Sequence, residues 1–381
     1  MECIDEVIKF IKKLFDSDEI LALHQPVFMG NEKRYLNECI DTTFVSSVGK
    51  FVDRFENMIK VYTGAKYAIA SVNGTAGLHV ALKLVGVQRG TEVITQPLTF
   101  VATCNAIRYC DANPIFVDVD IDTMGLSPNS LQKFIDEYTE QRNGYFFNKK
   151  TGNKISAVLP MHTFGRPCRI KEIADICKEF NLALVEDAAE SLGSYYQEQH
   201  TGTFGEFGVF SFNGNKVITS GGGGIIVTND PTLAKKAKHI TTTAKLAHPY
   251  EFIHDDEAFN YRLPNINAAL GCAQMESLDI ILDNKRHLAE EYNAFFEEKS
   301  IVFAKALNET KQNHWLNAIL LENKSIRDDF LNQTNDAGVM TRPIWRLMNK
   351  LKMFNKYHTD DLENALWLEE RVVNIPSGAR F

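Results

Sequence analysis

The chain has no continuous apolar run of about 18 residues, no CxxC pair, no GxxxxGK[ST] and no surplus of positive charge. The first absence excludes a membrane-spanning helix. Seven cysteines without close pairing exclude a zinc finger or a dithiol redox motif, and predict reduced thiols, a cytoplasmic location and no metal site. Without a Walker A loop the fold of a P-loop nucleotide hydrolase has no phosphate cradle. A formal net charge of -8 argues against a nucleic-acid binder, although a local basic pocket for an anion is compatible with it. Internal repeats and Ser/Gly-rich linkers are also missing.

What is present reads as an ordinary globular protein, 44% hydrophobic and 24% charged over 381 residues, long enough for two domains. The opening "MECIDEVIKFIKKLF" lacks the apolar core and cleavage site of a secretory signal. Its Ile4, Val7, Ile8, Ile11 and Phe15 recur at helical spacing, which predicts an amphipathic helix packed on the domain or on a partner. From about residue 65, compact apolar runs alternate with helical segments: "KYAIASV", "TEVITQ", "PIFVDVD", "KISAVLP", "LALVEDA", "FGVFSFN" and "GGIIVTND". Strands buried on both faces and separated by helices predict a mostly parallel α/β sheet, with ligands at its carboxyl edge. After about residue 265 a long helical stretch and a shorter α+β pattern follow. The expected division is an N-terminal helix with a large α/β domain over 1–265, and a smaller α+β domain over 266–381.

The polar residues that follow the strands carry the chemistry. Gly74-Thr75 opens a helix and offers N–H groups and a hydroxyl to an anion, or Thr75 is simply its N-cap. Phe100 follows one strand and His162 another. Glu186, Asp187 and Glu190 cluster after "LALV", where uncompensated burial of acids would be costly. Magnesium could pair with such acids, but its usual P-loop companion is absent. In "FSFNGNKVITSGGGG", Lys216 stands between Ser211 and four glycines, which either turn the chain or leave room around the lysine. Pyridoxal phosphate requires a lysine, a carboxylate opposite its ring nitrogen, a phosphate cup and a stacking face. Lys216, Asp187, Gly74-Thr75 with Ser211, and Phe100 provide one candidate for each.

The motifs "NGTAGLHVAL", "PLTFVATCNAI", "MHTFGRP", "VEDAAESLGS", "FSFNGNKVITSGGGG" and "NYRLPNINAALGCAQ" occur in the order and spacing of a known family. The chain resembles the DegT/DnrJ/StrS sugar-nucleotide aminotransferases, fold-type I pyridoxal-phosphate enzymes, along nearly its whole length. The resemblance implies that Lys216 is the cofactor-bonding lysine and acid/base, and that Asp187 is the partner of the ring nitrogen. It implies Glu190 near the ring hydroxyl, Phe100 as stacking aromatic, Gly74, Thr75 and Ser211 as phosphate cup, and His162 near the ring. It also implies a homodimer in which Asn260 or Arg262 of "NYRLPN" reaches the neighbouring subunit's phosphate. Where many relatives have glutamate in the glycine run, this chain has glycine throughout.

The segment "LHQPVFMGNEKRYLNECIDTTFVSSVGK" resembles enzymes of the legionaminic-acid and bacillosamine type, with Ser46, Ser47 and Gly49 expected near the sugar. This implies amination at C4 of a UDP-4-keto-6-deoxy-N-acetylhexosamine with glutamate as donor, for bacterial surface glycan or nonulosonic acid synthesis. Amination at C3 of a dTDP-3-keto sugar and a non-catalytic sensor on the same fold are the alternatives.

Overall fold

The computed structural model describes residues 2–17, 19–299 and 301–381; the side chains of Glu2 and Cys3 lie outside the description. The central sheet runs in the order Tyr67–Ser71, Gly224–Thr228, Phe207–Ser211, Ala183–Asp187, Lys154–Leu159, Thr91–Thr95 and Asn113–Phe116. The hairpin Thr139–Arg142/Tyr145–Asn148 adds two short strands beside Lys154–Leu159. Strands from Phe207–Ser211 through Asn113–Phe116 are parallel, as their unbroken apolar runs predict. Gly224–Thr228 runs against both of its neighbours. Its first residue therefore lies at the carboxyl edge of the others, with Gly224 registered against Ser71 on one side and Ser211 on the other.

Alternation along these strands feeds two faces. Ile69, Val209 and Ile226 pack with helices Gly74–Leu84, Val101–Tyr109 and Pro231–Thr241. Ala70, Phe210, Ile225 and Val227 point the other way, towards Phe55 and Ile59 of helix Lys50–Thr63 and Ala268 and Cys272 of helix Asn265–Glu276. Helices Pro128–Tyr138 and Ile170–Glu179 cover the far side of the sheet through Leu131, Phe134, Ile170 and Ile173.

The long helical stretch after residue 265 breaks once, at Ser277, into Asn265–Glu276 and Leu278–Glu297. Beyond it, Val302–Phe303, Asn317–Leu320, Val372–Ile375 and Arg342–Pro343 form an antiparallel sheet flanked by helix Lys324–Asp336. The N-terminal helix Glu2–Leu14 is amphipathic as predicted, but its apolar stripe is not on the α/β domain. Val7 and Ile11 are buried with Leu288, Tyr292, Ile319 and Phe330 of the C-terminal elements. Sequence distance conceals this closure, because periodicity names the buried face and not what buries it.

A methyl group on Gly224 would lie 2.5 Å from the Asn73 carbonyl carbon, whereas one on Gly222 meets nothing within 4 Å. Gly224→Ala is therefore expected to destabilise the cofactor-free protein by about 1–3 kcal/mol, the usual cost of overpacking, and Gly222→Ala by less than about 0.5 kcal/mol. Urea unfolding of both variants measures this, and equal midpoints would contradict the close approach of the two backbones.

Candidate active site

The carboxyl edge of the sheet opens into a cavity of about 300 Å³ that is lined by Gly74, Thr75, Phe100, Asp187, Glu190, Ser211 and Lys216. Seven of the residues singled out from sequence thus meet in one place. Each arrives by a different local rule.

Asn73 precedes helix Gly74–Leu84, and its side-chain oxygen accepts the Ala76 N–H at 2.8 Å. Asn73 is therefore the N-cap, which the sequence reading had offered to Thr75. The Thr75 hydroxyl makes no hydrogen bond among the described residues, and the helix start points its free N–H groups at the cavity. Phe100 caps the next helix and is 50% exposed, with its ring on the cavity wall.

Strand alternation separates the acids of "EDAAE". Glu186 faces away from the cavity and accepts the N–H groups of Gly202 at 2.6 Å, Phe204 at 2.6 Å and Gly205 at 3.0 Å. Its Oε2 also lies 3.1 Å from Nε2 of His162. Asp187 and Glu190 turn into the cavity. One Asp187 oxygen accepts the Thr103 hydroxyl at 2.7 Å and the other the Ala189 N–H at 3.2 Å. Burial pushes the Asp187 carboxyl above its ordinary range, an effect those two donors partly offset. Glu190 accepts the Phe164 N–H at 2.8 Å and lies 3.4 Å from Lys216 Nζ. Burial raises its pKa to about 7 despite the lysine.

Lys216 follows the turn Asn213–Asn215, and its side chain is 13% exposed. Its Nζ sits between the Glu190 carboxylate and the ring face of Trp315, 4.1 Å from the ring centroid. Gly222 and Gly223 line the same cavity, and space is open where a Gly222 side chain would be. The glycines thus give the lysine room and also let strand Gly224–Thr228 approach the Asn73–Gly74 backbone.

Six further residues named from sequence lie outside this cavity. His162 is fully buried and does not line the cavity: Nδ1 accepts the Cys168 N–H at 3.3 Å, which leaves Nε2–H for Glu186. In place of an action on a ring it ties two strand ends to the loop beyond. Asn260 and Arg262 also lie outside the cavity lining. Arg262 donates to the Thr242 carbonyl at 2.9 Å and the Thr243 hydroxyl at 3.0 Å, with no acidic partner among the described residues. Ser46, Ser47 and Gly49 line no part of this cavity either. The Ser46 carbonyl accepts the Asn265 N–H, and a methyl group on Gly49 would collide with the Asn265 side chain, so that glycine is explained by packing.

Sequence reasoning missed Thr103, Asn73 and the tryptophans 315 and 345. Asn73 immediately precedes Gly74-Thr75 and Thr103 lies three residues beyond Phe100, so both stand beside named candidates. The tryptophans reach the cavity from the C-terminal part and carry no local signal of it. No group of three or more His, Cys, Asp or Glu among the described residues is arranged to hold a metal ion.

The model of the DegT/DnrJ/EryC1/StrS aminotransferase family matches residues 28–381. A GDP-perosamine synthase of Escherichia coli O157:H7 is 35% identical, over 94% of this chain and 93% of that one. Its namesake in Vibrio cholerae is 34% identical, over 94% of each. Among solved structures, Helicobacter pylori PseC, an aminotransferase of pseudoaminic acid biosynthesis, superimposes with a TM-score of 0.84 over 94% of each chain at 22% identity.

Glu190 ties this geometry to pH. Its folded pKa of about 7 exceeds that of an exposed glutamate, so its ionisation opposes folding, and the cost appears as pH rises from about 4.5 through 7. In cofactor-free protein, the melting temperature of Glu190→Gln should gain on the wild type between pH 5 and pH 8. A difference constant across that window would show that Glu190 is ionised throughout.

Proposed function

This chain belongs to the DegT/DnrJ/EryC1/StrS aminotransferase family, and on that premise we propose that its cavity moves an amino group from glutamate to C4 of a nucleoside-diphosphate-linked 4-keto-6-deoxy sugar. The chain is a pyridoxal-phosphate-dependent sugar-nucleotide aminotransferase. The observation that supports the amino-transfer chemistry is Lys216 Nζ held in one cavity with the buried Asp187 carboxylate and the helix start at Gly74-Thr75, while the C4 assignment draws on the relatives named for a perosamine synthase.

The residues present fit the cofactor. Asp187 is a buried carboxylate short of a cation, which a protonated ring nitrogen supplies. The uncapped Thr75 hydroxyl, the Ser211 hydroxyl and the helix N-terminus suit a dianionic phosphate. Exposed Phe100 offers a face for a ring to cover. When bound, the cofactor supplies the carbon that carries the amino group and the sink for the electrons of the adjacent C–H bond.

The protein's part is placement and proton movement. Lys216 Nζ takes the α-proton from the amino donor and returns a proton to C4 of the sugar. Asp187, fixed by Thr103 and Ala189, keeps positive charge on the ring nitrogen, and Glu190 holds the lysine amine from the side. Phe164, whose N–H fixes Glu190, has a φ of 60°, a left-handed conformation unusual for so bulky a residue.

Two readings of the nucleotide have support. The N-terminal segment resembles enzymes that act on UDP-linked N-acetylhexosamines, whereas relatives at 34–35% identity are named for a GDP-linked amino sugar. We further propose a homodimer with shared sites. In support, Asn260 and Arg262 lie away from their own cavity, and the loop before them exposes Tyr250 at 81% and Phe252 at 80%. Ser46 and Ser47, beside exposed Phe44 and Val48, would approach the sugar of a partner's site.

Purified enzyme given glutamate and, in separate assays, UDP-, GDP- or dTDP-linked 4-keto-6-deoxy sugars or a dTDP-linked 3-keto sugar should aminate one of the 4-keto sugars by mass spectrometry; amination only of the 3-keto sugar would refute the C4 assignment. Lys216→Ala should abolish turnover, and Asp187→Asn should keep the cofactor yet lose about a hundredfold or more in kcat, as when a principal electrostatic stabiliser is removed. Mixing Lys216→Ala chains with Asn260→Ala/Arg262→Ala chains should restore partial activity through one intact site per heterodimer. No recovery despite demonstrated subunit exchange would mean that each chain builds its own site.

A further inference from the structure

Trp315 is held at three points. Its backbone N–H donates to Asn313 Oδ1 at 2.9 Å, and its carbonyl accepts Nζ of the buried Lys285 at 3.3 Å. Its indole N–H donates to the carbonyl of Asn215, the residue before Lys216, at 2.6 Å. Asn313 is itself fixed, donating to the carbonyls of Glu190 at 2.8 Å and Leu192 at 2.9 Å. The indole is therefore immobilised against the segments that carry both Glu190 and Lys216, and Trp315 is only 4% exposed. Its ring face lies 4.1 Å from Lys216 Nζ, with the Glu190 carboxylate 3.4 Å from the same nitrogen.

A lysine has a flexible four-carbon stem and gains precision only from what surrounds its amine. Packing alone would account for a buried indole but not for its N–H on the residue before the lysine together with its face on the amine. We propose that Trp315 is the positioning residue of Lys216, acting through the face of its ring, so that the C-terminal part of the chain sets where the proton-carrying amine stands. This rests on the reading of Lys216 as the reactive lysine. Trp315 touches no reacting atom in this role; it acts through the lysine.

The experiment compares Trp315→Phe, which keeps an aromatic face, with Trp315→Leu and Trp315→Met, which do not. Holoenzyme kcat should fall about three- to thirtyfold in the Leu and Met variants, the range spanned by a cation–π contact, with KM for both substrates unchanged. Trp315→Phe should recover most of the loss. In cofactor-free protein, trinitrobenzenesulfonate labelling of Lys216, read by mass spectrometry against exposed Lys235 and Lys236, should be several times faster in the Leu and Met variants than in wild type or Trp315→Phe. A purely structural role would lower melting temperature without this selective change. Two results would overturn the proposal: folded Leu or Met variants with wild-type kcat and labelling, or a Phe variant as impaired as they are. Borohydride reduction of the wild-type holoenzyme separates the levels, since an adduct on another lysine overturns the reading of Lys216 and this proposal together, whereas an adduct on Lys216 with unaltered variants overturns this one alone.

Discussion

Two carboxylates buried at the end of one strand face a single lysine, and the architecture around them follows from that imbalance. Asp187 and Glu190 are each only 3% exposed, and burial shifts both towards the protonated form even with Lys216 nearby. An apolar interior would reject such a pair. Hydrogen bonds from Thr103, Ala189 and Phe164 hold the oxygens in place without supplying the missing positive charge. A cationic ring nitrogen beside Asp187 would supply it, so the same electrostatic deficit would favour binding of such a ring.

The third acid of the cluster shows how the deficit is confined. Glu186, one residue from Asp187, points to the opposite face and is met by three backbone N–H groups and the His162 ring. Its burial is compensated within the fold, and it anchors the loop that leads into strand Phe207–Ser211. One face of the strand end is thereby structural and the other chemical, separated by nothing more than the period of two along a strand.

Around this centre, the antiparallel strand Gly224–Thr228 returns the chain to the carboxyl edge after Lys216. It can do so because Gly224 presents no side chain to the Asn73–Gly74 backbone. The C-terminal part closes the opposite wall. Trp315 and Trp345 line the cavity, and the Met348 N–H donates to the Pro97 carbonyl close to Phe100. The N-terminal helix fastens that part in turn, through Val7 and Ile11 against Leu288 and Tyr292.

Sequence by itself determined the parallel strands, the helices between them and the residues at their carboxyl ends. Those are local matters: unbroken apolar runs, helical spacing, and polar residues placed where a strand stops. It also singled out Lys216, Asp187 and the helix start at Gly74-Thr75, which the fold brings into one cavity, because each chemical requirement has few side chains able to meet it. Tertiary structure decided the rest. Only packing reveals that Asn73 and not Thr75 caps its helix, that His162 serves Glu186, and that Gly49 makes room for Asn265. Only the closed chain carries Trp315, about a hundred residues from Lys216, onto the lysine amine. Contacts of that separation leave no periodicity or spacing in the sequence, since they arise when two independently formed elements are pressed together by the apolar surfaces they share.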